Sequence, residues 1–376
     1  MRAYYSFKFF IMKQLLIILL IFSFFSCQPR QSETSRQFEV HRGTNIAHWL
    51  SQGQARGLQR EQFFTEADVK AIASMGFDHI RLPIDEVQMW DEEGKRHEDA
   101  FQLMLNGINW CAENNLKVIV DVHILRSHHF IAEVKPLWTD IAEQEKFYDL
   151  WRDLSAALHH FPNSLVAYEL MNEAVADDPE QWNNLLANAV KAIRELEPER
   201  VIVIGSNRWQ SVSTFDELKV PEDDPNIILS FHYYEPMILT HYQAGWTEFR
   251  DYTGPVHYPG VLLNEDEYNT LPDSLQSAPK KYMGVTFNKE VIFDMWQQPI
   301  AKSKELGLPL YCGEFGVYSH APEADKLRWY EDIIQLLEDN NIGYANWSYK
   351  NSGFGLVDRA GNRYEKLINI IVPKSP

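Results

Sequence analysis

Two glutamates are distinguished by the residues around them. Glu173 closes the run Glu169-Leu170-Met171-Asn172-Glu173, and Glu314 lies in Gly313-Glu314-Phe315-Gly316. Each follows a short apolar stretch of strand character. An Asn-Glu dipeptide alone is background, but two carboxylates brought across one cleft have a defined use. One protonates a leaving oxygen while the other attacks an acetal carbon or activates water at it. That division of labour requires their pKa values to be driven apart, and a neighbouring arginine would keep one of them ionised. Arg81, in Arg81-Leu82-Pro83, ends another apolar run, as do Asp121-Val122-His123, His232-Tyr233-Tyr234 and Asn346-Trp347. A single polar residue after a strand means little. Together these strand ends would place an arginine, two histidines, paired carboxylates, a tyrosine, an asparagine and a tryptophan around one mouth.

The elements that must position them follow from the periodicity. Val40–Asn45, His79–Pro83, Lys117–His123, Val166–Leu170, Val201–Gly205, Ile227–His232, Leu310–Gly313 and Gly343–Ser348 read as strands. Thr65–Met75, Phe101–Asn114, Gln144–His160, Pro179–Leu196, Glu290–Leu306 and Pro322–Asn340 read as amphipathic helices between them. Alternation of this kind implies βαβ units and a parallel sheet. Eight repeats favour an α/β fold of the closed eight-stranded (β/α) TIM barrel type over a doubly wound sheet, and barrel chemistry sits at the C-terminal strand ends. One connection is far longer than a βα loop requires: Tyr233 to Lys289, after the sixth strand. It carries Tyr242, Trp246, Phe249, Tyr252, Tyr258, Tyr268 and Tyr282. The expectation is an insertion subdomain (233–289) walling the substrate site. The alternative is a surface elaboration whose rings form only their own small core.

Competing chemistries lack their signatures. No G-x-G-x-x-G or P-loop occurs, and Gly353-Phe354-Gly355 is only a near miss, so no nucleotide cofactor is expected. His128-His129 and His159-His160 are adjacent pairs that diverge on any regular element, and H-E-x-x-H is absent, so no metal is expected. No G-x-S-x-G elbow is present. Cys312, inside a strand, reads as a buried structural thiol. Trp49, Trp138 and Trp209 follow or flank strand ends and are candidates for stacking on sugar rings, against plain packing.

The chain has 376 residues, 45% of them hydrophobic and 23% charged, which is the composition of a globular protein with a sizeable core. Its formal net charge of −18 repels polyanions, so no nucleic-acid partner is expected. Three cysteines make no disulfide framework. Lys13, the apolar run Leu15 to Phe25 and then Ser26-Cys27 read as a lipoprotein-type signal over residues 1–27, with Cys27 lipidated. The run is too short to span a membrane. Met12 is a second candidate start beside Met1. Residues 28–37 read as a polar tether and 38–376 as the barrel. The expected destination is the bacterial cell envelope, held through a lipid anchor only, or secretion.

The chain resembles glycoside hydrolase family 5, the cellulase family. The match runs from Arg42-Gly43-Thr44-Asn45, through Gly76-Phe77-Asp78-His79-Ile80-Arg81-Leu82-Pro83, to Asn346-Trp347-Ser348-Tyr349-Lys350. It is most similar to compact bacterial endo-β-1,4-glucanases with an insertion after the sixth strand. The resemblance implies Glu173 as acid/base and Glu314 as nucleophile of a retaining double displacement. It implies Asn172 on the sugar's 2-hydroxyl, Arg81 and Tyr234 on the nucleophile, His123 and His232 lining the glycone site, and Trp347 as its stacking floor. The partner is then a β-glucan. The scaffold also admits a β-mannanase, an exo-acting β-glucosidase or a non-catalytic glycan-binding lipoprotein.

Overall fold

A computed structural model describes residues 38–351 and 353–373. The expected signal, the tether and Cys27 lie outside them. Eight parallel strands close into a barrel: β1 (Arg42–Asn45), β2 (His79–Asp85), β3 (Lys117–Ile124), β4 (Val166–Glu169), β5 (Ile202–Gly205), β6 (Ile227–Tyr233), β7 (Leu310–Phe315) and β8 (Gly343–Asn346). Neighbours in sequence pair around the ring, and β1 closes it against β8 with Arg42 opposite Tyr344 and Thr44 opposite Asn346. The expected eight-stranded α/β barrel is the observed one.

Period-two alternation explains how apolar strands can carry a polar mouth. On β3, Val118, Val120 and Val122 belong to the main core against the helices, whereas Ile119 joins Phe38, Ala167, Val203, Ile228, Tyr311 and Ala345 inside the barrel. Two and four residues further along the inner face come Asp121 and His123. β7 departs from the alternation. Its pairing with β6 shifts register between Phe231 and His232, so that Phe231 faces Cys312 while His232 faces Glu314. Such an irregularity re-aims a side chain. Here it puts Glu314 beside His232 although Tyr311, three residues earlier, already faces inward.

The outer helices are α1 (Glu66–Met75), α2 (Glu98–Glu113), α3 (Ile141–Leu158), α4 (Pro179–Arg194), α5 (Lys289–Met295), α6 (Gln297–Leu306), α7 (Glu323–Asp339) and α8 (Glu365–Ile371). α4 shows why they form. Asp178 caps it by accepting from the Glu180 N–H, Gln181 completes a capping box, and Pro179 occupies the first turn, where its missing N–H costs nothing. Its Trp182, Leu185, Leu186, Ala189, Val190 and Ile193 face the barrel, and each large buried side chain contributes about 1.5–3 kcal/mol. The helix expected over Glu290–Leu306 is two helices, α5 and α6, parted at Trp296. Pro299 is the reason: in a continuous helix its ring would meet the Met295 carbonyl, whereas in a fresh first turn it is tolerated. The strand expected to reach Ser348 ends at Asn346, and the Trp347 N–H donates instead to the Phe315 carbonyl across the mouth.

Residues 234–288 form short helices and a two-stranded antiparallel sheet that pairs Gly260 with Phe287 and Val261 with Thr286. Most of its aromatic residues form a local core. Tyr242, Tyr252, Phe249 and Tyr282 contact one another, the Tyr242 hydroxyl donates to the Gly254 carbonyl, and Tyr258 donates to Asp332 on α7. Trp246 differs. It stands 58% exposed, edge-on to Tyr318 and His241 and tilted against Phe354.

Candidate active site

Arg81 lies on β2 with its guanidinium sealed from solvent, and the mouth is organised around it. Nε donates to Glu169 at 2.6 Å, Nη1 to Asn45 at 2.9 Å and Glu314 at 2.7 Å, and Nη2 to Glu169 at 3.1 Å and Asn172 at 2.9 Å. Asp121 approaches Nη2 at 3.0 Å. One cation therefore faces three buried carboxylates, whose pKa values burial raises, that of Asp121 to about 7. Five donors in a rigid fork suit this position in a way a lysine could not.

The two glutamates are held differently. Glu314 accepts from Arg81 on one oxygen and from the Tyr234 hydroxyl, at 2.9 Å, on the other. Burial raises its pKa, while Arg81, His123 and the Tyr234 hydrogen bond pull it back. Glu173 has no such cation in contact. Its Oε1 meets His232 Nδ1 at 3.0 Å, and burial followed by the Glu314 charge pushes its pKa well above the carboxylate range. Of the two, Glu173 is the one whose surroundings favour the protonated form more strongly. His232 is kept neutral, chiefly by burial and then by Arg81 and His123. Nδ1 is the ring nitrogen that has a partner, while Nε2 is buried without one, so a proton on Nδ1, facing Glu173, avoids stranding a donor.

The other expected site residues divide into two groups. His123 points Nδ1 at Asp121, 2.7 Å away, is held down to about 4 by burial, and lies parallel to Trp347 at 5.5 Å and 7°. Trp347 in turn contacts Ala47 and Phe354. Arg81, His123, Asn172, Glu173, His232, Tyr234, Glu314 and Trp347 are therefore in one place. Trp209 stands at the rim, 46% exposed, its indole N–H donating to the Phe130 carbonyl. The stacking expectation for Trp49 and Trp138 is corrected. Trp49 is 1% exposed, packed on Phe64, and bonded through Nε1 to the Arg60 carbonyl. Trp138 is 8% exposed, edge-on to His128 and Trp182. Both follow strand ends in sequence but turn back under the helices, where indole area is worth more buried than at the rim.

Sequence reasoning assigned no role to Asn45, Asp121, Glu169 or Gln210. For Asp121 and Glu169 a signal existed: a charge at an inward parity within an apolar strand must be paired. Gln210, five residues beyond β5, carries no such signal.

Glu173, His232 and Glu314 each offer a ligand atom within 4.8 Å of the others, close enough for a metal ion. The chemistry of His232 argues against one. A ligating histidine hands its second N–H to an acceptor, and His232 Nε2 is buried without a hydrogen-bond partner. Metallating Nδ1 would strand a donor in the core. Beside the mouth, behind Phe354, a cavity of about 550 Å³ is lined by residues including Val317, Lys326, Phe354 and Tyr364, and none of the groups gathered around Arg81 lines it.

Comparison with known proteins gives the same picture. The family model described as Cellulase (glycosyl hydrolase family 5) matches residues 38–353. Endoglucanase C of Acetivibrio thermocellus is 34% identical over 342 residues, covering 88% of this chain and 97% of its own. Cellodextrinase A of Ruminococcus flavefaciens is 28% identical over 307 residues, 81% of this chain and 83% of its own. A solved structure described as an endoglucanase superposes with a TM-score of 0.72 at 25% identity, over 89% of this chain and 97% of its own. Thermotoga maritima Cel5A, solved with mannotriose, shares the fold at a TM-score of 0.71 and 23% identity, over 90% of this chain and 98% of its own. With the barrel, the buried arginine and the paired glutamates in place, the chain belongs to glycosyl hydrolase family 5, the cellulases, enzymes that hydrolyse O-glycosyl bonds.

Proposed function

We propose that the protein is a retaining endo-β-1,4-glucanase. The observation that carries the mechanism is the spacing of the carboxylates: oxygens of Glu173 and Glu314 come within 4.8 Å of each other. Retaining enzymes hold their carboxyl groups about 5–5.5 Å apart, and inverting ones about 6.5–9.5 Å apart to admit a water. Glu314, ionised beside Arg81 and Tyr234, attacks the anomeric carbon. Glu173 gives its proton to the departing oxygen, and a covalent glycosyl ester forms on Glu314. Loss of the Glu314 charge then lowers the pKa of Glu173, which takes a proton from water as the water opens the ester. Asn172 spends Oδ1 on Arg81, so its amide N–H groups are the ones left for the sugar's 2-hydroxyl. Trp347, held by His123, supplies the floor of the same subsite.

Action within a glucan chain is supported by the endoglucanases among the relatives, Endoglucanase C foremost. A preference for short cellodextrins is the second reading, favoured by the likeness to Cellodextrinase A. Product sizing on carboxymethylcellulose and on cellohexaose separates them. An early fall in viscosity with mixed oligosaccharides supports endo action. Cellobiose or glucose alone, without a fall in viscosity, contradicts it.

In the same reading the 233–289 insertion walls the cleft, with Trp246 at its rim, and the mature chain is tethered at the cell envelope through Cys27. Cys27→Ala should leave membranes for the soluble fraction. A variant that still fractionates with membranes contradicts the anchor.

A further inference from the structure

Glu173 is a non-glycine residue at φ 47, the left-handed region that favours glycine. Something must hold it there. Its backbone N–H donates to Gln210 Oε1 at 2.9 Å. The amide nitrogen of Gln210 donates in turn to Glu169 Oε1 at 3.2 Å and Ser230 Oγ at 3.0 Å. Glu169 is the carboxylate that grips Arg81 through Nε and Nη2, and Arg81 grips Glu314. A continuous buried chain of hydrogen bonds thus runs from the backbone of one catalytic glutamate to the carboxylate of the other, and Gln210 is its first link.

Two independent features show that the mouth is built around this side chain. Gly205 is the last residue of β5, and a Cβ there would lie 2.2 Å from Gln210 Cγ and 2.6 Å from its Cδ and Nε2. The absent side chain of 205 is the space that Gln210 occupies. The segment after β5 also clamps the segment after β4. The Asn207 amide accepts from the Ala176 N–H and donates to the Ala176 carbonyl, and the Trp209 N–H donates to the Ala174 carbonyl. To make these contacts Arg208, Trp209 and Gln210 all take the left-handed conformation, at φ 55, 63 and 53. A run of three such residues, none of them glycine, persists only where its surroundings fix it.

We propose that Gln210 is a positioning residue: it sets where Glu173 stands relative to Glu314 by fixing the backbone from which the acid/base projects. This rests on the assignment of Glu173 as the acid. The primary amide accepts the Glu173 N–H on its oxygen and donates through its nitrogen to both Glu169 and Ser230, three bonds from one planar group. A glutamate would set a further negative charge against Glu169, and a methionine keeps the shape with neither bond.

The test compares Gln210→Met, Gln210→Glu and Gly205→Ala on aryl cellobiosides of differing leaving group. A displaced acid matters most where the leaving oxygen needs a proton. Gln210→Met is expected to lose about tenfold to a hundredfold in kcat on phenyl cellobioside, within the cost of misplacing a reacting group by about 1 Å. On dinitrophenyl cellobioside it should lose less than about threefold, with KM unchanged on both. The basic limb of kcat/KM should move to lower pH, because a freed Glu173 swings toward water and away from the burial and the Glu314 charge that raise its pKa. Gly205→Ala should reproduce the pattern from the other side of the same contact. Gln210→Glu should regain part of its activity at low pH, where its protonated carboxyl accepts the Glu173 N–H and donates one of the amide's two hydrogen bonds. Equal losses on the two substrates with an unmoved basic limb overturn the proposal, as does wild-type behaviour of Gln210→Met. If both 210 variants fail to fold, Gln210 is a folding determinant and the proposal is overturned. The product anomer of the wild type reads the retaining assignment separately, so the two can fail independently.

Discussion

Replacing Arg81 by methionine and by lysine separates charge from geometry at the centre of the mouth. The guanidinium faces Asp121, Glu169 and Glu314 without access to water. Methionine would leave those carboxylates without a counter-ion, and breaking a buried pair in this way costs about 3–5 kcal/mol. Unfolding entropy of about 2 cal/mol/K per residue, over the roughly 340 residues of the barrel unit, comes to about 0.7 kcal/mol/K, so Tm should fall by about 4–7 °C. Lysine keeps the charge but offers three donors where arginine uses five, and should lose about half as much. The pH dependence has a definite sign. Burial raises the pKa of all three carboxylates and Arg81 lowers it, so removing Arg81 lifts their folded-state values further above the unfolded ones. A carboxylate with a raised folded pKa retains its stability below the unfolded value and loses it as pH rises through the folded one. The deficit of Arg81→Met should therefore be larger at pH 8 than at pH 5. Both variants should lose at least about a hundredfold in kcat, the methionine because Glu314 is neither oriented nor held ionised and the lysine because the orientation is lost. Thermal unfolding by circular dichroism at the two pH values, with aryl cellobioside kinetics alongside, makes the measurement. A methionine variant as stable as wild type at both pH values, or one hurt more at pH 5, would refute the charge balance described above.

Tyr234→Phe removes the hydroxyl that donates to Glu314 Oε2. A hydrogen bond to a charged group is worth about 1.5–3 kcal/mol, or roughly 10- to 150-fold in kcat/KM. That bond lowers the Glu314 pKa, so the acid limb of the pH profile should move up; an unmoved acid limb contradicts the contact. Trp246→Ala should cost about 1–2 kcal/mol on soluble β-glucan polymer, five- to thirtyfold in kcat/KM, with little change on an aryl cellobioside and none in Tm. Equal losses on polymer and aryl substrate would assign Trp246 to the insertion's own packing.

Much of this site was legible in the sequence because a parallel barrel imposes simple rules. Apolar runs at regular spacing marked the strands, and polar residues at their C-terminal ends marked the mouth, so the residues from Arg81 to Trp347 converge where the strand ends meet. What escaped depended on side-chain direction or on backbone conformation. Trp49 and Trp138 sit at the right distance along the chain, yet their rings turn under the helices. The left-handed run at 208–210 has no pattern in residue type, since none of those positions is a glycine or proline, whereas the β7 register shift that re-aims Glu314 falls at Gly313, a glycine inside a strand that was a signal for it. Asp121 and Glu169 were visible as charges among valines and alanines, but their common partner becomes evident only when Arg81 is seen between them. The break at Trp296 was readable from Pro299.

The proposed double displacement requires Glu314 to bond covalently to the sugar while Glu173, with an oxygen within 4.8 Å of it, serves the leaving group. Proton NMR of cellohexaose hydrolysis, recorded before mutarotation, tests it most directly. Double displacement predicts that the β-anomer of the new reducing end appears first and the α-anomer grows in later. An α-anomer formed first would mean that water, not Glu314, attacks the anomeric carbon, and would contradict the mechanism.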